Sequence, residues 1–257
     1  PEKVKDIPEE QLGKVPIRDV EVSDLLAREE VALDEGLVGT YLKGTTVLVT
    51  GGGGSIGSEL VRQLLPAKPA KIVLFDIYEN TVYELYHEIA GKARESGIEI
   101  VTEIGSITHM PALEEVFDRR NPRVVFHAAA HKHVPLMESN PREAIENNVF
   151  GTLNVVRMAH ERGCSHFILI STDKAVNPAN VMGATKRMCE MIVQYYAQVS
   201  KTVFASVRFG NVLGSHGSVI PLFKRQLKAG GPITLTHQDI TRYFMTIPEA
   251  ARLVITA

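Results

Sequence analysis

A run of four glycines lies where an apolar, β-branched stretch gives way to a helical pattern, and this junction restricts the fold more than any other feature. Thr46–Thr50 have strand character, and Ser55–Leu65 have helical spacing. Gly51, Gly54 and Gly57 share the spacing GxxGxxG. Such a turn needs a positive φ angle and close backbone packing, which glycine allows. Because the helix presents free N–H groups at its amino end, the junction predicts a phosphate-binding turn.

The glycine turn opens a regular alternation of short apolar runs and helical stretches. Strands are predicted at 46–50, Lys71–Asp76, Ile98–Glu103, Arg123–Ala128, His166–Ser171 and Thr202–Arg208. Helices are predicted at Ser55–Leu65, Thr81–Arg94, Met110–Arg119, Glu143–Arg162 and Ala184–Val199. Short buried strands that alternate with helices form parallel βαβ units. The sequence therefore predicts an α/β protein with a doubly wound Rossmann sheet of strand order 3-2-1-4-5-6.

The composition is that of an ordinary globular protein and excludes several function classes. The chain has 257 residues, of which 44% are hydrophobic and 23% charged, so it can bury a sizeable core. A net charge of −2 without a basic block argues against nucleic acid as a partner. No apolar run is long enough to cross a bilayer, and the first residues do not resemble a signal peptide. Cys164 and Cys189 form no CxxC pair, so neither a disulfide scaffold nor a structural zinc site is expected.

An acidic residue closes the second predicted strand. Asp76 lies 19 residues after Gly57, where a carboxylate binds the adenosine ribose hydroxyls of a dinucleotide. A carboxylate about 5 Å from a 2′-phosphate would cost roughly 3 kcal/mol per phosphate charge at an effective dielectric near 20. Asp76 therefore predicts NAD rather than NADP as the cofactor. The alternative is that Asp76 only caps the turn that follows its strand.

The fourth predicted strand ends in small residues and histidines. Ala128, Ala129 and Ala130 let the backbone pass close to a dinucleotide. Three histidines at 127, 131 and 133 suggest a metal, but no carboxylate stands near them at helical spacing. We therefore predict no metal site.

A hydroxyl, an acid and an amine follow the fifth predicted strand. Thr172, Asp173 and Lys174 lie at the carboxyl edge of the sheet, where such folds bind ligands. Lys186 follows Met182 by one helical turn. The competing interpretations are a solvated Asp173–Lys174 loop pair, a surface Lys186 paired with the acid four residues on, and a Met182 that only packs at a helix start.

This constellation resembles the extended branch of the short-chain dehydrogenase/reductase superfamily, in which a Ser or Thr and a Tyr-x-x-x-Lys pair transfer protons. The chain departs from that pattern because Met182 occupies the Tyr position, and a thioether cannot accept a proton from a hydroxyl. A narrower resemblance, from Thr45 onward, is to the UDP-N-acetylglucosamine 4,6-dehydratases of polysaccharide biosynthesis. It rests on the stretches 127–135, 147–152, 171–178, 181–187, 208–215 and 241–245. Met at the Tyr position is typical of the large, membrane-anchored members, which retain configuration at sugar carbon 5.

The resemblance implies a redox-neutral reaction on bound NAD. A hydride leaves sugar carbon 4, water is eliminated across carbons 5 and 6, and the hydride returns to carbon 6. By this resemblance Lys174 is the base at carbon 5, Asp173 the acid at carbon 6, and Thr172 the hydrogen-bond partner of the carbon 4 oxygen. Lys186 would hold the nicotinamide ribose. Either a water relayed to Lys186 or Asp173 itself would take the carbon 4 hydroxyl proton.

The expected site residues fall into three groups. The cofactor group is Gly51, Gly54, Ser55, Ile56, Gly57, Asp76, Ser106, Ile107, Ala128, Ala129, Ala130, Asn148 and Lys186. The catalytic group is Thr172, Asp173, Lys174, Met182 and Lys186. The substrate group is His131, Lys132, Asn211, Thr236, His237 and Arg242, with Thr236 and His237 placed either in the pocket or on the surface. Arginine suits a diphosphate because its planar fork pairs bidentately.

The expected organisation is an N-terminal arm or linker over 1–44, an NAD-binding domain over 45–208, and the start of a partly truncated nucleotide-sugar lobe over 209–257. The arm contains a possible short helix at 22–31 and is an alternative partner-docking segment. We expect a UDP-N-acetylhexosamine substrate and a homo-oligomer. No membrane span is expected in this chain, although the full-length protein would be anchored at the inner, cytoplasmic face of a bacterial membrane. The competing functions are a UDP-sugar 4-epimerase and a non-catalytic NAD-binding sensor.

Overall fold

The computed structural model describes residues 26, 28, 41–215, 219–235, 237, 239 and 241–257. Within them six strands form one parallel sheet in the order β3-β2-β1-β4-β5-β6. The strands are β1 (Thr46–Thr50), β2 (Lys71–Asp76), β3 (Glu99–Ile104), β4 (Val124–His127), β5 (His166–Thr172) and β6 (Val203–Phe209). The predicted fold class and strand order are confirmed. The helix predicted at 22–31 and most of the predicted arm lie outside the described residues.

Helices connect the strands and cover both faces of the sheet. They are α1 (Ser55–Leu64), α2 (Glu79–Glu95), α3 (Met110–Arg120), α4 (Val134–Ser139), α5 (Pro141–Ala144), α6 (Gly151–Glu161) and α7 (Val181–Val199). The single helix predicted at Glu143–Arg162 is wrong in detail, because a π-helical segment (Ile145–Phe150) separates α5 from α6. Helix α7 begins three residues before its predicted start, since the Asn180 side chain accepts a hydrogen bond from Gly183 N at 2.8 Å.

The core lies in two layers, one on each face of the sheet. Val47 and Val49 of β1 pack on the side of α1 and α2, whereas Leu48 between them packs on the side of α3, α6 and α7. All three side chains are fully buried. Burial of both faces explains why β1 reads as a continuous apolar run rather than an alternating one.

The residues after β6 form a small second sheet and two helices. Strands β7 (Asn211–Val212) and β8 (Phe244–Met245) pair in parallel, and the helices are α8 (Val219–Lys228) and α9 (Ile247–Ile255). A capping box of Thr246 and Glu249 starts α9. Ala251, Val254 and Ile255 of α9 are buried in the core layer that contains α1. The division at residue 208 stays a prediction, but α9 packs as part of the Rossmann core rather than of a separate lobe.

Two residues of the predicted arm contact α9. The Arg28 guanidinium donates to both carboxylate oxygens of Glu249, at 2.6 and 3.2 Å. The Tyr41 hydroxyl donates to the carbonyl oxygen of Ile255 at 2.7 Å, and burial raises the pKa of Tyr41 to about 12. The arm therefore touches the carboxyl-terminal helix at these two points.

The close approach of the glycine turn to the end of β4 predicts a large effect of one methyl group. Gly51 has φ +69°, and a Cβ there would lie 2.6 Å from Ala129 N. We expect Gly51→Ala to lower the free energy of unfolding by at least about 2 kcal/mol. This corresponds to about 4–8 °C in Tm for a domain of this size, measured by thermal and urea unfolding.

Gly91→Ala is the matched control for Gly51→Ala. Gly91 lies inside α2, and nothing lies within 4 Å of a Cβ placed there. The change should stabilise the chain by about 0.5–1 kcal/mol, because alanine loses less backbone entropy in a helix. Equal stability of the two variants would contradict the account of the turn.

Candidate active site

A cavity of about 800 Å³ opens at the carboxyl ends of the central strands. The glycine turn, the end of β2 and the segment after β4 meet there because parallel strands end at one edge of the sheet. Among the residues expected in the cofactor site, those that line it are Gly51, Gly54, Ser55, Ile56, Gly57, Asp76, Ser106, Ile107, Ala128, Ala129 and Ala130. His131 and Lys132 line the same cavity. The fold thus brings together residues that lie up to 81 positions apart in the sequence.

The glycine turn closes by direct backbone packing. A Cβ at Gly57 would lie 2.0 Å from the carbonyl oxygen of Gly51, so α1 can approach the turn only without a side chain there. Helix α1 begins after Gly54 and has no side-chain cap. The uncapped amino end of α1 therefore faces the cavity with its first residues, as a phosphate-binding turn requires.

Asp76 forms two backbone hydrogen bonds and still lines the cavity. One carboxylate oxygen accepts from Gly53 N at 2.9 Å and the other from Tyr78 N at 3.0 Å. A carboxylate has about four lone-pair sites, so two remain for other donors. Asp76 thus caps the turn, as the alternative interpretation predicts, and its carboxylate can still bind ribose hydroxyls.

Asn148 does not line the cavity, although it was expected to bind the cofactor. Its side chain is fully buried, accepts from His131 N at 2.8 Å, and donates to His131 O and to Thr185 Oγ1, each at 3.0 Å. The expectation that Asn148 contacts a cofactor directly is therefore corrected. The amide instead fixes the backbone of His131 at the wall of the cavity, which the sequence spacing did not reveal.

A buried histidine lies under the cavity. His127 is fully buried, and its two ring nitrogens contact Thr50 Oγ1 at 2.6 Å and Thr152 Oγ1 at 2.9 Å. Burial, and then the charge of Lys186, lower the pKa of His127 to about 3. His127 is therefore neutral and held by two hydroxyls. No group of three metal-ligating side chains occurs among the described residues.

Lys186 is a buried cation. Only 5% of the residue is exposed, and burial lowers the pKa of its ammonium although the carboxylate of Glu190 opposes that shift. No described residue accepts a hydrogen bond from its Nζ, and it lines neither cavity. The surface ion-pair interpretation of Lys186 is therefore wrong, because the carboxylate of Glu190 is bound by other partners.

Next to the turn formed by Thr172, Asp173 and Lys174, which we call the active-site turn, the buried carboxylate of Glu190 accepts hydrogen bonds from several side chains. Its carboxylate accepts from Ser171 Oγ at 2.6 Å, from Arg208 Nε at 2.7 Å and Nη2 at 2.5 Å, and from Arg187 Nη1 at 3.1 Å. Burial alone would raise the pKa of Glu190, but Arg208, Ser171 and Arg187 outweigh it and lower that pKa to about 2. Sequence reasoning missed this cluster because its members come from three separate elements.

Thr172, Asp173 and Lys174 form a hydrogen-bonded triad at the end of β5. Thr172 Oγ1 donates to Asp173 Oδ1 at 2.9 Å, and Lys174 Nζ donates to the same oxygen at 3.0 Å. Burial would raise the pKa of Asp173, but the hydrogen bonds from Lys174 and Thr172 outweigh it, so the net pKa is lowered. Asp173 is consequently ionised and can accept a proton.

A second cavity, of about 700 Å³, lies beside the triad. Its lining residues are Val134, Asp173, Lys174, Asn180, Thr241, Arg242 and Tyr243. His133 lines the first cavity and its neighbour Val134 the second, so both cavities border the segment that leads into α4. Asn211 lines neither cavity and accepts from Lys174 Nζ at 2.9 Å. His237 is exposed, lies 3.8 Å from Asp239 and lines neither cavity, and Thr236 is outside the described residues.

Met182 packs in an apolar cluster rather than in either cavity. It is 3% exposed and lies with Met137 and Ala144 against Val134 and Val181. The catalytic role expected for Met182 is therefore corrected to packing, in agreement with the alternative interpretation. The position is walled off by α4, an element that the sequence patterns did not predict.

The profile of a family described as polysaccharide biosynthesis protein matches residues 47–257. The chain is 54% identical over 94% of its length to a probable polysaccharide biosynthesis protein EpsC of Bacillus subtilis, and covers 40% of it. It is 52% identical over 99% of its length to the capsular polysaccharide biosynthesis protein CapD of Staphylococcus aureus, and covers 42% of it. A UDP-glucose 4-epimerase of Rickettsia canadensis is 34% identical over 82% of this chain and 62% of its own length. The chain thus spans about two fifths of the length of the first two relatives.

Solved structures share the fold. The X-ray structure of Pen from Bacillus thuringiensis is 37% identical, with a TM-score of 0.78 over 84% of this chain and 67% of that one. A dTDP-glucose 4,6-dehydratase, DesIV, from Streptomyces venezuelae was solved with NAD and is 24% identical. Its TM-score is 0.71 over 81% of this chain and 70% of its own. No helix of the described residues is long and apolar enough to span a membrane.

The buried His127 predicts a pH dependence of stability. The unfolded chain protonates this histidine near pH 6.5, whereas the folded chain does so only near pH 3. Stability due to His127 is therefore lost as the pH falls below 6.5, by up to about 1.4 kcal/mol per pH unit. His127→Gln should flatten the decline between pH 6.5 and 4.5, as measured by urea unfolding.

Glu190→Gln is the companion to His127→Gln. The pKa of Glu190 is lowered from 4.5 to about 2, so its pH-dependent contribution is lost only as the pH falls from about 4.5 toward 2. Glu190→Gln should thus leave the slope above pH 4.5 unchanged. An unchanged slope in His127→Gln would contradict the neutral, buried histidine.

Proposed function

The chain belongs to the polysaccharide biosynthesis protein family, and on that premise we propose that it is an NAD-dependent UDP-N-acetylglucosamine 4,6-dehydratase. The product would be UDP-2-acetamido-2,6-dideoxy-4-hexulose. The observation that carries the proposal is the triad of Thr172, Asp173 and Lys174, which places a carboxylate and an amine on one cavity wall. An elimination across carbons 5 and 6 needs such an acid–base pair.

The residues of the first cavity fit NAD. The glycine turn and uncapped α1 offer N–H groups to a diphosphate, and Asp76 has free lone pairs for ribose hydroxyls. Lys186 does not line this cavity, but its buried ammonium lacks an acceptor among the described residues, and a nicotinamide ribose that reached it would supply hydroxyl acceptors. When bound, NAD supplies the hydride acceptor for carbon 4 and the hydride donor for carbon 6. DesIV, which shares the fold, was solved with NAD.

Thr172 and Asp173 offer a route for the carbon 4 hydroxyl proton without a tyrosine. In this proposal the sugar hydroxyl donates to Thr172 Oγ1, whose own proton passes to Asp173 over the 2.9 Å hydrogen bond. Asp173 then gives this proton to the oxygen that leaves carbon 6. The proton from carbon 4 and the hydroxide from carbon 6 together make the one water that is lost. The direct contact between Thr172 and Asp173 gives the proton a path that needs no relay through water to Lys186.

Lys174 serves as the base in the same proposal. Its neutral amine removes the carbon 5 proton, which the adjacent carbon 4 ketone makes acidic. The resulting ammonium exchanges its protons with water and later returns one proton to carbon 5 from the same side. The exposed face of Lys174 lines the second cavity together with Arg242. In this proposal Arg242 binds the UDP diphosphate there, because its planar fork suits a diphosphate. His131 and Lys132, which line the first cavity, contact the substrate from that side.

The 4-epimerase is the second candidate, because one relative of this chain is named UDP-glucose 4-epimerase. An epimerase shares the oxidation at carbon 4 but needs no acid–base pair at carbons 5 and 6. The hydrogen-bonded Asp173 and Lys174 therefore favour the dehydratase. They also speak against a sensor that binds NAD without reaction. Homo-oligomerisation and a place at the inner face of the bacterial membrane stay predictions.

Incubation with UDP-N-acetylglucosamine and NAD tests the proposal. A dehydratase gives a product lighter by one water, with a 4-keto signal in the NMR spectrum. An isobaric product would instead identify the epimerase. Unchanged substrate in the presence of bound NAD would favour the sensor.

Lys174→Ala tests the assignment of the base. Loss of a general base typically costs 10²–10⁴-fold, and we expect that loss in the exchange of the carbon 5 proton with solvent deuterium, while NAD stays bound. Lys92→Ala, at an exposed site on α2, is the control and should exchange at the wild-type rate. Exchange at the wild-type rate in Lys174→Ala would refute Lys174 as the base.

A further inference from the structure

The ammonium of Lys174 is held from two separate parts of the chain. Asp173, its neighbour on the active-site turn, accepts from Nζ at 3.0 Å, and Asn211 of β7 accepts from Nζ at 2.9 Å. Asn211 is 37 residues away in sequence and belongs to the small second sheet. Its own N–H donates to Tyr243 O at 2.9 Å, so the strand pairing fixes its position. This link between the two sheets needs an explanation beyond substrate binding, since Asn211 lines neither cavity.

Because the amine nitrogen is tetrahedral, these two contacts fix the direction of its third position. A tetrahedral Nζ has three positions besides its carbon, and both ammonium and neutral amine can fill two of them with N–H donors. Asp173 and Asn211 take those two. We propose that Asn211 is a positioning residue that aims the third position of Lys174, a proton or a lone pair, at the substrate. The proposal rests on Lys174 as the base of the proposed function.

The Asn211 amide is neutral, and this matters for the balance between the ammonium and the free base of Lys174. A second carboxylate beside Nζ would favour the ammonium and oppose formation of the free base. The remaining charged or titratable groups near the turn are Arg242 and Tyr243, which share its cavity, and Lys186 and Glu190 of the packed helix α7. Glu190 is bound by Arg208 and Arg187, so it does not serve Lys174. An amide oxygen thus orients the base without adding a negative charge.

Trace acetylation of the chain by isotopically labelled acetic anhydride at a series of pH values tests the inference without substrate or cofactor. Peptide mass spectrometry then gives the pH midpoint of labelling at Lys174, with the exposed Lys92 as an internal control. Asn211→Asp should raise the Lys174 midpoint by about one pH unit or more, because a carboxylate favours the charged amine. Asn211→Leu should lower it, because an acceptor of the ammonium is lost. Neither variant should move the midpoint of Lys92.

Unmoved Lys174 midpoints in both variants would overturn the inference, whatever the enzyme does with UDP-N-acetylglucosamine. In turnover, Asn211→Leu should lower kcat with little change in KM, and Asn211→Asp should move the acidic limb of the pH profile upward. A raised KM with unchanged kcat in Asn211→Leu would instead assign Asn211 to substrate binding and overturn the inference. Absence of dehydration by the wild-type chain would refute the proposed function, while the labelling midpoints would still decide whether Asn211 holds Lys174.

Discussion

The buried carboxylate of Glu190 joins α7 to the ends of β5 and β6, and the position of the active-site turn depends on it. Ser171, one residue before Thr172, donates to this carboxylate, and Arg208 of β6 clasps both of its oxygens. The Arg208 side chain is 41% exposed and solvent weakens its attraction, but the Glu190 carboxylate is only 1% exposed and would be left as a buried charge if Arg208 were removed. The turn that carries Thr172, Asp173 and Lys174 thus starts from a strand end that cannot shift freely.

The charged groups of the site are of two kinds: an acid and a base that pair with each other, and a lysine with no described hydrogen-bond acceptor. Asp173 and Lys174 neutralise each other where protons would move, whereas Lys186 stays buried without a hydrogen-bond acceptor in the described part of the chain. His127 lies nearby and is neutral, with its two ring nitrogens hydrogen-bonded to Thr50 and Thr152. It therefore adds no second positive charge beside Lys186. Groups that work in catalysis commonly have such perturbed surroundings. Lys186 lines neither cavity, and a ligand that reached its ammonium would have to bring its own oxygen acceptors.

The sequence predicted the fold and most of the cofactor groove because those features depend on local patterns. Strand and helix periods predicted the sheet order, and the glycine spacing with Asp76 predicted the groove. The wrong or missed features depend on contacts between distant segments. Met182 was expected in the site because it occupies the Tyr position of the resemblance, and the six-residue helix α4 that packs against it was not predicted. Glu190 gave no local signal, since its partner Arg208 lies 18 residues away. Asn211 was expected to bind substrate, and its contact with Lys174, 37 residues away, was missed.

The central claim is that Asp173 and Lys174 perform an elimination rather than support an epimerisation. UDP-N-acetylglucosamine deuterated at carbon 4 tests it most directly, because the fate of that one atom distinguishes the reactions. We expect NMR of the product formed in H2O to find the deuterium at carbon 6, and a parallel reaction of unlabelled substrate in D2O to place deuterium at carbon 5. Deuterium that remains at carbon 4 of an isobaric product, with no exchange at carbon 5, would contradict it.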